Sequence, residues 1–262
     1  MTPSNLSSST SAYSPWSVWA TLLWAVAIAC VFIVTQGIAA IAFIVSQNPQ
    51  MRSLSEEELA ILAESGDVLA VATLASLLVC GFLIAIAIKA KNGNSLKSYL
   101  HLHPISWRVM LFAVIAIAIL MAIMELLNVI FDRPVPESML IIYSSATNLL
   151  LLWLAIGVAA PILEEMFFRG FIHTGTERSF IGVSGTILLT ALLWALVHIQ
   201  YEFFEMFMIF LIGLLLGVGR WLSGSLYVPI LMHMLNNMVS LVQMHFVTQD
   251  ASPILPAFAL LL

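Results

Sequence analysis

The residues best able to do chemistry are Glu164 and Glu165, in Pro161-Ile-Leu-Glu-Glu-Met-Phe-Phe-Arg-Gly170, directly after residues 149–160, which carry no charge. An ionised group at bilayer depth costs at least ~2.5–3.5 kcal/mol, so two adjacent carboxylates in apolar sequence need a reason. Helical residues four apart share a face, which sets Arg169 over Glu165. Successive residues are turned by about 100°, so Glu164 points elsewhere. Glu165 and Arg169 read as a buried pair that fixes packing or supports a site. Glu164 has no such partner and is the candidate for chemistry.

Two later apolar segments also carry polar groups. In Trp194-Ala-Leu-Val-His198 the histidine lies one turn beyond the tryptophan on the same face, as a catalytic or an interfacial residue. In His233-Met-Leu-Asn-Asn237 an imidazole and a carboxamide point the same way, either as an interhelical hydrogen-bonding pair or as part of a site. A poorly solvated carboxylate is a competent base towards water, and a neighbouring histidine can hold that water. A second histidine with an asparagine can donate to an oxyanion. Alternatively Glu164, His198 and His233 ligate Zn2+, with Asn237 behind them. Both routes end in amide hydrolysis. HExxH, GxSxG and paired intramembrane aspartates are all missing, which argues against the ordinary zincin, serine and aspartyl peptidases.

The elements that must position these groups are membrane helices. Of 262 residues 61% are hydrophobic and 9% charged, with mean hydropathy +1.05, against roughly 25% charge in soluble domains. The fold class is therefore all-α, a polytopic helical membrane protein with seven or eight spans. Seven are expected at about 16–46, 68–88, 107–131, 146–176, 181–199, 203–222 and 226–246, with the apolar end 253–262 too short for an eighth alone. Residues 1–15, rich in Ser and Thr without Lys or Arg, read as a disordered tail, and 16–262 as one transmembrane domain. In a hairpin turning near Phe180, Glu164 lies about 16 residues before the turn and His198 about 18 after it, at similar depth. His233, about nine residues past Gly224, is expected roughly 10 Å shallower unless Pro161 and Pro229 bend their helices and free carbonyls.

Charge distribution sets the orientation. Lys89, Lys91, Lys97, Arg108, Arg178 and Arg220 fall at one end of alternating spans. The other end carries Glu56, Glu57, Glu58, Glu64, Asp67, Asp132, Glu137, Glu202, Glu205 and Asp250 against Arg52 and Arg133. This predicts a multi-pass protein with its N-terminus and basic loops in the cytoplasm, and the compact length without an evident targeting sequence fits a plasma (inner) membrane. A net charge of −5 spread over loops gives no nucleic-acid footprint. Cys30 and Cys80 read as small core residues, His101 and His103 as interfacial, and His173 and His245 as residues of opposite membrane edges. Asn92-Gly-Asn-Ser95 reads as a turn, and Ser55-Glu-Glu-Glu58 as a solvated loop, with a helix cap as the alternative.

EExxxR (Glu164, Glu165, Arg169), aromatic-xxxH (Trp194, His198) and HxxxN (His233, Asn237), in that order on three spans across about 146–247, resemble the motif set of the CPBP family. These are CAAX proteases and bacteriocin-processing enzymes, including the type II CAAX prenyl endopeptidases. Trp194 stands where the family usually shows Phe. The resemblance implies an intramembrane endopeptidase with its site open to the cytoplasm. It makes Glu164 the main catalytic carboxylate, supported by Glu165 and Arg169. His198 then activates water with Glu164, while His233 and Asn237 stabilise the oxyanion. Its partners would be the lipid bilayer and a membrane-embedded or lipid-modified peptide, either a prenylated C-terminus or a bacterial membrane peptide such as a bacteriocin leader. The competing readings are a non-catalytic scaffold or immunity protein on the same fold, and an ion or metal transporter through Glu164, His198 and His233.

Overall fold

Each of the seven segments expected to cross the bilayer is helical in the computed structural model, which describes residues 14–47, 55–91 and 95–249. Helices α1 (Val18–Gln47), α3 (Gly66–Ala90), α5 (Trp107–Ile130), α7 (Leu149–Thr176) and α9 (Phe203–Ser223) are each long and apolar enough to span by length and composition. The short helices α2 (Glu56–Ala63), α4 (Leu96–Tyr99) and α6 (Glu137–Ser145) lie between them. Helix α8 (Gly182–Leu196) has only 15 residues. It stops short of the expected 199, so His198 lies in a turn beyond it. Helix α10 (Tyr227–Gln249) has the length, but its interior is diluted by His233, Asn236, Asn237, Ser240 and Gln243. All regular structure among the described residues is helical, and the outward faces are apolar, with Leu23 73% and Phe82 69% exposed. With no water to satisfy exposed backbone groups, helices that close their own hydrogen bonds are what a bilayer permits. The chain is a multi-pass, all-α membrane protein.

Long-range contacts sort the helix ends into two sets. At the end bearing Lys89, Lys91, Lys97, Arg108, Arg178 and Arg220, Trp16 Nε1 donates to Ala87 O (2.9 Å) and Thr174 Oγ1 to Tyr99 O (3.0 Å). There too Leu226 N donates to His101 O (3.0 Å) and Ser225 Oγ to His103 O (2.6 Å). At the other end Asp67 accepts from Thr147 N, Thr147 Oγ1 and Asn148 N, fixing the start of α7. The same end holds Arg133 against Glu202 and Glu205, and Tyr143 OH 3.1 Å from His245 Nδ1. The alternation of spans assumed from the sequence is thus the arrangement found.

Local chemistry corrects several expectations. Ser55 opens α2 through a reciprocal capping box, with Glu58 N donating to Ser55 Oγ and Ser55 N to Glu58 Oε2, so this stretch is a capped helix and not a solvated loop. His173 is fully buried 3.5 Å from Glu177, inside the packing of the basic end and not at an interface. Cys80 is buried as expected, whereas Cys30 is exposed on the outer face of α1. The tail 1–13, the turn residues 92–94, Arg52, Asp250 and the apolar end 253–262 lie outside the described residues.

Candidate active site

Helix α7 carries the carboxylates, and it is not a regular α-helix. Wider π turns occupy Ala155–Ala159 and Met166–Ile172, on either side of the turn holding Glu164 and Glu165. In the first, Ala160 N donates to Ala155 O, five residues back. The same register would pair Ile156 O with the N–H of residue 161, which is proline and has none. Asn237 Nδ2 takes that place, donating to Ile156 O at 2.8 Å. The carbonyl that Pro161 frees is therefore satisfied from α10. Close approach is allowed by Gly157, where a Cβ would stand 2.5 Å from Met238 Cε.

Glu165 is the hub. It and Arg169 are fully buried, and Arg169 Nη1 donates to Glu165 Oε1 at 2.8 Å, as four-residue spacing predicts. Arg169 Nη2 donates to Gly213 O at 3.0 Å, and its guanidinium lies 4.8 Å from the Trp194 ring centroid. A side chain at Gly213 would put a Cβ 3.0 Å from Ala191 Cα, so glycine lets α9 close on α8 and brings this carbonyl to the arginine. His233 Nδ1 meets the same Glu165 Oε1 at 3.0 Å. Glu165 Oε2 and Arg169 Nε have no hydrogen-bond partner among the described residues.

Glu164 points the other way, as expected, and has a partner the sequence did not reveal. Trp194 Nε1 donates to Glu164 Oε2 at 2.5 Å. The indole ring is 5.3 Å from the His198 ring and 5.0 Å from the His233 ring, centroid to centroid, and so touches both histidines. His198 Nδ1 lies 2.8 Å from Trp194 O. A carbonyl only accepts, so His198 Nδ1 carries the proton and Nε2 presents its lone pair. The carboxylate at His233 Nδ1 imposes the same tautomer on the neutral ring. Two imidazoles are thus pinned by Nδ1 with Nε2 free to act.

The structure corrects the expected depth of His233. It shares the level of Glu165 and Trp194 because the two turns lie at different depths. Phe180 is 80% exposed at its tip, whereas Ser225 and Leu226 are fully buried beneath the 100–103 segment, so α10 starts further in. The Asn237 amide is anchored by Ile156 O and its Oδ1 accepts from Asn236 Nδ2 at 3.3 Å, with no hydrogen bond to His233 among the described residues. Glu164, His198 and His233 are joined through Trp194, and among the described residues no three His, Cys, Asp or Glu side chains converge as a metal site. As placed, the set does not fit a zinc ion.

Further residues hold the 197–202 connection that bears His198. Tyr201 stacks on the His198 ring at 6.2 Å and donates from its hydroxyl to Met139 Sδ at 3.1 Å. Arg133 Nη2 reaches Glu202 Oε2 at 2.6 Å and Glu205 Oε1 at 2.8 Å, and its guanidinium covers Phe204. The sequence marked Arg133 only as a loop charge, because nothing in its neighbourhood signals a partner some 70 positions away.

Comparison with known proteins places this geometry. Residues 146–239 match the type II CAAX prenyl endopeptidase Rce1-like family. An Escherichia coli protein described as "Uncharacterized 24.3 kDa protein" is 34% identical over 92 residues, which cover 34% of this chain and 42% of that protein. The chain thus spans less than half the length of the curated relative it matches. No solved structure matches. The three motifs, on α7, on α8 with the turn after it, and on α10, all lie within the matched residues, so residues 146–239 are similar to a type II CAAX prenyl endopeptidase Rce1-like domain, consistent with a CPBP-type intramembrane protease.

Proposed function

We propose that the protein is an intramembrane endopeptidase that cleaves a membrane-associated peptide with a water activated by Glu164 and His198. The observation that carries this is that Trp194 holds both a half-buried carboxylate, through its indole N–H, and a histidine, whose Nδ1 meets the Trp194 carbonyl and leaves Nε2 to act. Glu164 accepts the proton of the water as its oxygen bonds to the scissile carbonyl carbon, while His198 Nε2 accepts the other water hydrogen as a hydrogen bond and orients the oxygen. The carbonyl oxygen becomes an oxyanion. His233 donates to it from Nε2 when that nitrogen carries a proton, and Asn237 adds the second hydrogen of its anchored amide. The proton on Glu164 then passes to the leaving nitrogen as the carbon–nitrogen bond breaks. Glu165, Arg169 and Trp194 are positioning residues. The reading needs no metal, and the spread of Glu164, His198 and His233 about Trp194 supports that form over the zinc alternative. The match of residues 146–239 to the Rce1-like family supports a CAAX-type substrate, and the motif resemblance leaves a bacteriocin-type one as the alternative.

The test compares peptide termini in cells expressing the wild-type protein or Glu164→Gln at equal levels. New termini that need Glu164 are expected, with a loss of ~10²–10⁴-fold in the variant, the range for removing a positioned acid–base group. Identical termini, with the variant still supporting any phenotype that a deletion removes, would reject catalysis in favour of the scaffold.

A further inference from the structure

Tyr201 belongs to none of the three motifs, yet the chain folds it onto one of them. In the connection after α8, His198 N donates to Ala195 O and Tyr201 N to His198 O, each at 3.1 Å. Hydrogen bonds three residues apart make 3₁₀-type turns, in which side chains three apart eclipse. The Tyr201 ring therefore falls on the His198 ring, with centroids 6.2 Å apart and planes 14° from parallel. That separation lies within the range of offset stacking.

The other contacts of His198 leave its orientation less complete. Its Nδ1 meets Trp194 O at 2.8 Å, and one hydrogen bond leaves an imidazole able to pivot about it. The Trp194 ring approaches nearly edge-on, at 77°. Among the described ring contacts of His198, Tyr201 alone is face-on, so the phenol sets the ring plane and with it the direction of Nε2. The phenol is itself anchored. Its hydroxyl donates to Met139 Sδ on α6 at 3.1 Å, and the next residue, Glu202, is held by Arg133 at 2.6 Å. A thioether is a weak acceptor, so the hydroxyl contributes little and the ring most. Burial raises the pKa of the phenol, a hydrogen bond with Gln200 opposes this, and the charge of Glu164 adds to it. The phenol therefore stays neutral and offers no competing base beside Glu164.

We propose that Tyr201 is a positioning residue of the peptidase, whose stacked ring aims His198 Nε2 at the water that Glu164 deprotonates. The aim in catalysis rests on the peptidase reading; the control of the His198 ring does not.

The test uses full-length Tyr201→Phe, Tyr201→Leu, and Tyr201→Leu combined with His198→Gln. The probe is a synthetic peptide spanning a bond whose cleavage in cells needs Glu164. Tyr201→Leu should lower kcat roughly ten- to a hundredfold at unchanged KM, since misplacing a catalytic group by ~1 Å can cost 10²-fold. Tyr201→Phe keeps the stack and should recover most of that loss. In the His198→Gln background the same leucine should cost nothing further, because position 198 then has no imidazole to aim. An equal loss in both backgrounds, or a Tyr201→Phe as slow as Tyr201→Leu, would overturn the proposal.

The ring is read separately by nitrogen NMR of histidine-labelled protein in detergent, with the His198 signals identified by their loss in His198→Gln. One Nδ1–H tautomer is expected in the wild type and in Tyr201→Phe, and averaged tautomers in Tyr201→Leu, where the ring can leave the Trp194 carbonyl. An unchanged spectrum in Tyr201→Leu would overturn the proposal whatever the cleavage result. This spectral change without any Glu164-dependent cleavage would reject the peptidase reading, and the aim in catalysis with it, while supporting the control of the ring.

Discussion

The indole N–H of Trp194 donates to Glu164 Oε2 at 2.5 Å, so the carboxylate proposed as the base is held by a side chain on a neighbouring helix. Hydrogen bonds to charged groups contribute about 1.5–3 kcal/mol, and Trp194→Phe keeps the ring between its neighbours while removing that bond. Cleavage is expected to fall by roughly ten- to a hundredfold, with a loss of thermal stability in detergent no larger than about that bond's 1.5–3 kcal/mol. Trp194→Ala should instead destabilise by about 3–5 kcal/mol, because Trp194 is 2% exposed and its loss leaves a cavity. Unchanged cleavage by Trp194→Phe would remove the tryptophan from the site.

Glu165 Oε1 receives both Arg169 Nη1 and His233 Nδ1. Removing one member of a buried ion pair strands the other and typically costs ~3–5 kcal/mol, whereas replacing both by neutral groups is often close to neutral. Arg169→Met alone should unfold readily, and the double variant Glu165→Gln with Arg169→Met should recover much of the stability. It should not recover cleavage, since His233 loses the carboxylate at Nδ1. Thermal unfolding and cleavage measured on the same samples separate the two effects.

Asn237 and Pro161 are predicted to be coupled through Ile156 O. Asn237→Ala leaves that carbonyl without its donor, a loss of about 1–3 kcal/mol. Pro161→Ala supplies an N–H at the position the π register requires. In the Asn237→Ala background it should restore stability, and in the wild-type background it should help less. A double-mutant cycle with no coupling energy would refute the exchange of donors.

His101 lies in the loop at the basic end, with φ 54°. Burial first, and the charge of Arg220 next, bring its imidazole down to about 4, with Glu177 opposing and His103 and Arg178 adding to the shift. A group depressed in the folded state binds protons more readily when unfolded, so stability is intact above about 6.5 and falls as pH drops towards 4. His101→Asn, which tolerates the left-handed backbone, should flatten the part of that slope due to His101. Unfolding midpoints of both proteins between pH 4 and 7 test this, and parallel slopes would count against it.

Arg133 braces the connection bearing His198 through Glu202 and Glu205. Glu202 is 78% exposed, and exposed pairs contribute little to stability, so Arg133→Ala should fold normally. Its effect should appear in kcat, lowered on the order of tenfold or more, because misplacing a catalytic group by ~1 Å can cost 10²-fold. Arg133→Lys should restore part of the rate. An equal loss of kcat and folded yield would make the contact merely structural.

The sequence by itself determined what depends on one helix at a time. Four-residue spacing joined Glu165 to Arg169 and Trp194 to His198, apolar run lengths placed the seven helices, and Pro161 announced a freed carbonyl. These follow from the fixed pitch of a helix, which chain position alone specifies. The resemblance likewise rested on motif order and agrees with the family-model match over residues 146–239. Only the tertiary structure decided that His233 reaches Glu165, that Trp194 holds Glu164, that Asn237 serves Ile156 and that Arg133 braces the His198 connection. Those contacts depend on how deep each helix begins and how closely its neighbours approach. Depth was set by the burial of Ser225 and Leu226 beneath a distant loop, and approach by glycines at 157 and 213, neither of which helical spacing encodes.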